Sequence, residues 1–466
     1  MKTTRWPATL LLSAALALTA CSLLAPEEEA ISPPPVDAGT ADFSVFVVLG
    51  NSLSAGQQSG ALYQSAQLRG WAPLLAAAMA TDFELPLIAD PGYYNWVDPI
   101  GHLAVVFDST GEAGIEPVPW DAGQPELLNA ALAAPYHDLG IPGAFAWDLL
   151  NALSATDCFS YNNGGSPNPY FDAVLRNGDV DWTTAGGAEA DLTPLAQAAL
   201  RSPTFVSVWI GNNEILGAAT QGDGTPLVPS VLFESLYAGL LDGVAATMPD
   251  ADVVVANMPP VACCPFFTTV PWLVVDGDLE PVLDGEGLPI GLLSAEAGQL
   301  TADDRVLLTA KESIGEGMGI PDAVLVGLLM ADLGVDSLTA VGILGGPESP
   351  FPLHGQPLPG SLTLTAAELD ELAAAVTAYN TVIDTTAAPR GIPVVDIHAL
   401  LSQGAAGGLI YNGQLLTAEL VTGGLFSLDG VHPSDMGYAV IAEAFAAVIN
   451  ETWGARLRIP EQPLLP

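Results

Sequence analysis

The chain has 466 residues, of which 50% are hydrophobic, and its 10 basic and 53 acidic residues give a formal net charge of −43. This length is enough to bury a large core, as one enlarged domain or as two. A surface this acidic repels nucleic acid and anionic lipid headgroups, and neither is a plausible partner. The charge has two interpretations: it keeps the protein soluble in a salty or extracellular setting, or it suits a substrate that is neutral or cationic.

The first 20 residues have the pattern of a bacterial export signal. Lys2 and Arg5 form a basic start, and the apolar run from 7 to 19 is too short to span a bilayer well. Leu18-Thr19-Ala20-Cys21 resembles the lipobox of bacterial lipoproteins, which implies cleavage before Cys21 and attachment of lipid to its thiol. An ordinary secretory signal with an incidental cysteine remains the alternative.

Residues 21–40 are rich in glutamate and proline, a composition that predicts a flexible, solvated tether. Ser22 after the lipidated cysteine is, by resemblance to other lipoproteins, compatible with sorting to the outer membrane. We therefore expect an exported lipoprotein of the cell envelope, held to the membrane by an N-terminal lipid anchor and otherwise monomeric.

From residue 41 to about 450, short apolar runs alternate with helical stretches. The predicted strands are Phe43–Leu49, Tyr136–Leu139, Thr204–Ile210, Asp252–Asn257 and Ile392–Ile397. The predicted helices are Gly70–Ala80, Phe145–Ala155, Val231–Met248, Ala366–Ala388 and Asp435–Asn450. This alternation predicts an α/β fold with a mostly parallel sheet of about five strands, covered on both faces by helices.

Two stretches interrupt the alternation. Residues 84–134 are rich in Gly, Pro and Asp and predict loops with a short hairpin, and residues 259–360 are a longer insertion. Insertions in open α/β proteins tend to lie at the carboxyl ends of the strands, so the second one is interpreted as a cap over the site. A peripheral subdomain with its own small core is the alternative. Residues 451–466 form a C-terminal tail.

Three turns after predicted strands carry groups that suit acyl transfer. Ser52 lies just past the first strand, where a hydroxyl and nearby backbone N–H groups meet at the carboxyl edge of the sheet. Gly143 after the second strand offers a backbone N–H, and Asn213 after the third offers an amide that can donate to an oxyanion. Each of these turns is common when it stands alone.

Asp429-Gly-Val-His432 precedes the last helix. Residues three apart in a tight turn fall on the same side, so Asp429 can accept the Nδ1–H of His432 while Nε2 faces a serine. A serine hydroxyl becomes a strong nucleophile when an imidazole takes its proton and a carboxylate fixes that imidazole. The alternative is a helix-capping aspartate beside a surface histidine.

Gly50-Asn-Ser52-Leu53, Gly143, Gly211-Asn-Asn213-Glu214 and Asp429-x-x-His432 resemble the four ordered blocks of the SGNH (GDSL) hydrolases, over residues 43 to about 450 without the insertions. The resemblance implies a flavodoxin-like three-layer α/β/α sandwich and hydrolysis of lipid or glycan esters or similar small molecules, with no metal or other cofactor. It implies catalytic roles for Ser52, Asp429 and His432, and an oxyanion hole formed by Ser52, Gly143 and Asn213.

Two positions depart from the family pattern: Asn51 and Glu214 stand where the family usually has aspartate. The long insertion and Asn51 motivate the alternative function, a lipid-anchored binding lipoprotein that kept the fold and lost catalysis. Asp396 and His398 form a competing acid–histidine pair, interpreted as structural because no serine block accompanies it.

The remaining cysteines are Cys158, Cys263 and Cys264, and Cys158 is expected to pair with one of the other two because vicinal cysteines rarely bridge each other. The histidines are scattered without ligand spacing, so no metal site is predicted.

Overall fold

A computed structural model gives the structure of the chain and describes residues 36–93, 100–107, 113–120, 126–222 and 227–461. The predicted signal peptide (1–20), Cys21 and most of the predicted tether lie outside the described residues.

Runs of β-branched and aromatic residues form most strands. Along the described residues the strands are β1 (Phe46–Gly50), β2 (Ile100–Phe107), β3 (Ala113–Pro119), β4 (Asp138–Gly140), β5 (Phe205–Trp209), β6 (Asp252–Ala256), β7 (Leu293–Ser294), β8 (Gly298–Gln299), β9 (Arg305–Val306), β10 (Thr363–Leu364), β11 (Val394–Val395), β12 (Leu409–Tyr411) and β13 (Gln414–Leu416).

The helices of the described residues are α1 (Ser52–Ala55), α2 (Gln64–Gln67), α3 (Trp71–Met79), α4 (Ala146–Asn151), α5 (Phe159–Asn162), α6 (Tyr170–Leu175), α7 (Pro194–Leu200), α8 (Asn213–Gln221), α9 (Ser230–Thr247), α10 (Pro265–Thr268), α11 (Lys311–Gly315), α12 (Asp322–Leu333), α13 (Ser337–Leu344), α14 (Ala366–Ala387), α15 (Ile397–Gly407) and α16 (Asp435–Trp453). Short 3₁₀ turns cover Trp182–Ala185, Val261–Cys263, Leu308–Ala310, Gly360–Leu362 and Ala388–Arg390.

The central sheet has the order β11-β6-β5-β1-β4, and every neighbouring pair in it is parallel. Numbered along the chain within this sheet, that order is 2-1-3-4-5, the flavodoxin-like arrangement. The prediction of a five-stranded parallel sheet in a three-layer α/β/α sandwich is confirmed. The order reverses between β1 and β5, and the crevice outside their carboxyl ends is where ligands bind in folds of this kind.

The two helical layers enclose a sheet whose inner strands are completely buried. β1 and β5 have no exposed residue. On one face α3 packs against α16, where the Trp71 ring stacks on Phe445 with 4.1 Å between centroids. On the other face α9 contacts α4, α7 and α14. Trp209 at the end of β5 joins the Trp71–Phe445 stack and ties the carboxyl edge of the sheet to the first layer.

Four predicted helices, α3, α9, α14 and α16, are present with ends within three residues of the expected ones. The predicted helix over 145–155 is wrong at its carboxyl end, since α4 stops at Asn151. The N–H of Ala155 donates instead to Asp172 Oδ1, and the N–H of Phe159 donates to Asp148 Oδ1. Asp172 thus replaces the helical acceptor at Ala155, and Asp148 supplies an acceptor to the first residue of α5.

The two insertions have different organisation. In the first, β2 pairs antiparallel with β3, as the expected hairpin. In the second, Leu292, Val306, Leu325 and Leu358 belong to a buried cluster of its own. That cluster favours the subdomain interpretation for this part of the insertion, whereas its first residues, from 259 to 264, adjoin the site described below.

No single helix in the described parts of the chain has both the length and the apolar character to cross a bilayer. Helices α12 and α13 reach that length and composition only when taken together, and the chain bends by 112° between them.

Candidate active site

The carboxyl ends of β4, β1 and β5 lie side by side, so the turns after these strands converge on one edge of the sheet. Gly50 at the end of β1 is in register with Gly140 of β4 and with Trp209 of β5. The turn after β1 brings Ser52, and the turn after β5 brings Asn212 and Asn213. The order of the strands thus places sequence blocks far apart in the chain at one crevice.

Ser52 is the first residue of α1, and Asn51 caps that helix. The Asn51 side chain accepts the N–H of Leu53 at 3.1 Å. Gly50 is required in this turn because a Cβ there would lie 2.2 Å from Ser54 Oγ and 2.8 Å from the Trp209 carbonyl oxygen. The first N–H groups of a helix have no intrahelical acceptor, so the backbone around Ser52 has donor capacity at the crevice.

Asn51 has a second contact that an aspartate could not make in the same way. Its Nδ2 donates to Asn212 Oδ1 at 2.9 Å, and Asn51 is completely buried. Because Oδ1 of Asn212 accepts this bond, the Nδ2 group of Asn212 points away from Asn51. Asn212 also lines the cavity of the site. The sequence does not single out Asn212, since neighbouring asparagines most often close a turn.

Asn213 connects the third block with the second. Its Nδ2 donates to the Ala144 carbonyl oxygen at 2.8 Å, which occupies one of the two amide N–H groups. Gly143 precedes that carbonyl with a φ of +77°, and a Cβ there would lie 2.8 Å from Asn168 Nδ2. Asn213 lines the cavity, whereas Gly143 does not and is connected to it through Ala144.

Glu214 has a structural position. It is buried, and its Oε1 accepts the N–H of Ala146, the first residue of α4, at 2.6 Å. Burial raises its pKa to about 7, against the opposing effect of this hydrogen bond. The longer carboxylate thus bridges the turn after β5 and the start of α4.

Asp429 and His432 are in direct contact, with 2.8 Å between Oδ2 and Nδ1. In the tautomer that carries its proton on Nδ1, His432 donates to Asp429 and leaves Nε2 as an acceptor. Asp429 Oδ1 also accepts the backbone N–H groups of Val431 and His432, each at 2.8 Å. Gly60, from the segment after α1, donates its N–H to Oδ2 at 2.6 Å.

His432 and the surrounding N–H groups decide the charge of Asp429. Burial by itself raises the pKa of this carboxyl, but the His432 charge and side-chain bond, together with the N–H groups of His432 and Val431, outweigh it. The pKa of Asp429 is therefore lowered, and the group is a carboxylate at neutral pH.

Ser52, Asn212, Asn213 and His432 all line one cavity of about 50 Å³. The rest of its wall is mostly apolar, and includes Trp209, Leu216, Met258, Cys264, Val376 and Phe426. A hydroxyl, an imidazole and two amides therefore meet in a largely apolar recess, which is the setting in which hydrogen bonds to a developing charge are strongest.

The competing acid–histidine pair is structural. Asp396 caps α15 by accepting the N–H of Ala399 at 2.9 Å, and it also accepts Asn257 Nδ2 at 2.8 Å. His398 donates its backbone N–H to Asn257 Oδ1.

Phe267 is buried, and Trp272 packs against the core of the second insertion. Neither they nor Phe266 line the cavity, so these aromatic side chains pack the insertion.

Cys158, Cys263 and Cys264 are free thiols, so the expected pairing of Cys158 is wrong for this structure. Cys158 is fully buried and its Sγ bonds locally, to the Ala155 carbonyl oxygen at 3.4 Å. Within the described residues, no three or more His, Cys, Asp or Glu side chains are grouped to hold a metal ion.

No family model and no curated protein matches the chain. Two solved structures similar to it are phospholipase A1 from Streptomyces albidoflavus NA297 and an extracellular lipase from Streptomyces rimosus. The first is 13% identical, with 87% of this chain and 100% of that chain covered and a TM-score of 0.34. The second is 11% identical, with 87% and 99% covered and a TM-score of 0.33.

Proposed function

We propose that this chain is a serine hydrolase of the SGNH (GDSL) type that cleaves carboxylic esters through an acyl-enzyme. The observation that carries the proposal is the Asp429–His432 contact of 2.8 Å at a cavity that Ser52 also lines. The order of the four blocks and the flavodoxin-like sheet support the same assignment. The apolar wall of the cavity suits the hydrocarbon part of an ester.

In the proposed reaction the Ser52 hydroxyl oxygen attacks the ester carbonyl carbon while its proton passes to Nε2 of His432. The tetrahedral oxyanion is stabilised by the Ser52 N–H and by the free N–H of Asn213, two residues that line the cavity. Gly143, which does not line it, is assigned as the third N–H donor on the family resemblance alone. The C–O bond to the alcohol then breaks, and the proton on Nε2 passes to the leaving alkoxide. Water repeats the sequence on the acyl-enzyme and releases the carboxylic acid. Asp429 stays ionised and stabilises the imidazolium throughout.

The test compares two serines of the same helix. Ser52→Ala removes the proposed nucleophile, and we expect it to lower kcat/KM on short p-nitrophenyl esters by about 10⁴-fold or more and to abolish labelling by a fluorophosphonate probe. Ser54→Ala is the matched control. Ser54 is buried, does not line the cavity, and its Oγ has no hydrogen-bond partner among the described residues.

Ser54→Ala is expected to keep both turnover and labelling. Folded wild-type protein that shows neither labelling nor turnover on a broad ester panel would contradict the proposed hydrolysis. Saturable glycan or fatty-acid binding by such a protein, unchanged in Ser52→Ala, would instead establish the binding lipoprotein.

We further propose that Cys21 is lipidated and anchors the chain in the cell envelope, at the outer membrane. The support is the lipobox-like sequence before Cys21 and the tether composition after it. In a Gram-negative host, the wild-type chain is expected in the membrane fraction with a diacylglycerol adduct on its first peptide, detected by mass spectrometry. Cys21→Ser is expected in the soluble fraction, whereas Cys263→Ser stays in the membrane. A soluble, unmodified wild-type chain would contradict the anchor.

A further inference from the structure

A second cavity, of about 650 Å³, lies between the hairpin of the first insertion, the body of the second insertion and the segment before Asp429. We propose that this groove binds a long-chain fatty-acid anion, with the hydrocarbon chain along its apolar wall and the carboxylate at Lys311. The size is in the range of small-molecule sites, which hold about 300–1,000 Å³.

The wall of the groove is apolar over most of its length. Leu103 and Ile115 come from the hairpin β2–β3, Val270, Leu292 and Ile314 from the second insertion, and Leu420 from the segment between β13 and α16. Three separate parts of the chain thus place hydrocarbon side chains around one opening. An extended alkyl chain is the ligand that covers such a wall without leaving polar groups unpaired.

Lys311 is the only charged residue that lines this groove. It is also the only lysine after residue 2 of the sequence. It begins α11 and is exposed, and it makes no ion pair or hydrogen bond with any residue that the structure describes. A lysine buries its methylene stem along apolar surface and holds its ammonium group at the rim, where it pairs with an anion.

The net charge of −43 opposes an anionic ligand in general, which makes the local cation decisive. At physiological ionic strength distant charges are screened beyond about 8 Å, so the carboxylate responds mainly to groups near Lys311. Glu312, the next residue of α11, does not line the groove. Without this lysine, the same groove in so acidic a protein would favour a cationic amphiphile. Tighter binding of an anionic than of a cationic amphiphile would therefore support the proposal, and the opposite preference would contradict it.

The groove is separate from the catalytic cavity. Neither Ser52 nor His432 lines it, and the two cavities share no lining residue. Leu428, the neighbour of Asp429, faces the groove. The binding proposal consequently stands independently of ester hydrolysis, and each can fail without the other.

The test measures binding by calorimetry to the mature chain, below micelle-forming concentrations. Dodecanoate, dodecanol and dodecyltrimethylammonium share one chain and differ in head-group charge. We expect dodecanoate to bind most tightly. In a series from octanoate to hexadecanoate, we expect each added methylene to tighten binding about fourfold until the groove is full, the equivalent of about 0.8 kcal/mol.

Two variants separate the charge from the groove. Lys311→Met keeps the stem and removes the cation, and we expect it to weaken dodecanoate binding at least fivefold while leaving dodecanol binding unchanged; Lys311→Arg restores the preference. Gly315→Phe places a ring in the groove, where an added Cβ meets no atom within 4 Å, and is expected to weaken all three ligands. Gly327→Phe is the matched control, because its Cβ is equally free but lies outside the groove.

Three results would overturn the proposal. One is the absence of saturable dodecanoate binding by wild-type protein. Another is equal dodecanoate binding by wild type and Lys311→Met, which would place the ligand elsewhere, for example in the catalytic cavity. The third is a wild-type preference for the cationic ligand. Labelling of Ser52 by the fluorophosphonate probe, measured on the same samples, reports separately on the catalytic site.

Discussion

At the level of single residues, Asp429 has its two oxygens committed to different kinds of donor. Oδ2 accepts His432 Nδ1–H and the Gly60 N–H, whereas Oδ1 accepts the N–H groups of Val431 and His432. These bonds fix the carboxylate plane and, through it, the orientation of the imidazole. Every one of these partners is a donor, so the site tolerates an acceptor-only side chain and no other.

Asp429→Asn therefore places an amide NH₂ against two donors, whichever way the amide is turned. We expect kcat/KM on p-nitrophenyl acetate to fall by about 10³- to 10⁴-fold, because the imidazole loses the acceptor that fixes its tautomer. The unpaired donors are expected to cost about 1–3 kcal/mol of unfolding free energy. Asp435→Asn is the control, since an amide there can still accept from Arg69 and can donate to the Gln58 amide oxygen once that side-chain amide turns over. Wild-type kcat/KM in Asp429→Asn would contradict the proposed role of the carboxylate.

The sequence could predict the Asp429–His432 contact because the two residues are only three apart. It could not predict the Asn51–Asn212 bond, which joins positions 161 residues apart and depends on β1 and β5 being neighbours. For the same reason the sequence indicates only that Asn51 stands where the family usually has aspartate. The structure gives its amide a donor role that the pattern of the turn does not contain.

At the level of elements, helices with clear capping residues and apolar periodicity were predicted well, and helices without these signals were not. Thr365 caps α14: its hydroxyl accepts the Glu368 N–H, and the Glu368 carboxylate accepts the Thr365 N–H. This capping box can be predicted from the sequence. By contrast, α5, α6 and α7 between Phe159 and Leu200 were not predicted, because they are short and held by tertiary contacts rather than by periodicity.

Thr365→Ala removes the side-chain half of this cap. We expect the unfolding free energy to fall by about 1 kcal/mol in denaturant titrations, with the slope unchanged. Thr377→Ala on the same helix is the matched control, because Thr377 is exposed in the helix interior and alanine has the higher helix propensity. An equal loss of unfolding free energy in both variants would contradict this prediction, because the Thr365 hydroxyl would then stabilise the helix no more than a hydroxyl in its interior.

At the level of the whole molecule, several carboxyl groups are buried in a chain that is already very acidic. Burial raises the pKa of Asp138 to about 8 and that of Asp148 to about 7, and Glu214 shifts in the same way. In the unfolded chain these groups ionise near their ordinary values of about 4. Their contribution to stability is therefore complete below about pH 4 and is lost as the pH rises toward 7–8.

We accordingly expect the Tm at fixed ionic strength to be higher at pH 5 than at pH 8, measured by scanning calorimetry. Asp429 works in the opposite direction, since its pKa is lowered, and its contribution is lost only in stronger acid. Asp138→Asn keeps an acceptor for the Gly140 N–H and removes the titration, so it is expected to flatten the pH dependence. Added salt weakens the general repulsion between surface charges, whereas it changes the pKa values of the buried groups little. An unchanged pH slope in Asp138→Asn would contradict the assignment.

The two ends of the described chain meet on the side of the sheet away from the catalytic cavity. The Thr40 N–H donates to the Trp453 carbonyl oxygen at 2.8 Å, the Arg456 N–H donates to the Asp37 carbonyl oxygen at 2.8 Å, and the Trp453 ring contacts Phe205 at the amino end of β5. A short peptide could join these ends and new termini could be opened in an exposed loop, giving a circular permutant with the same sheet. A reporter fused after residue 461 would likewise leave the mouth of the cavity unobstructed.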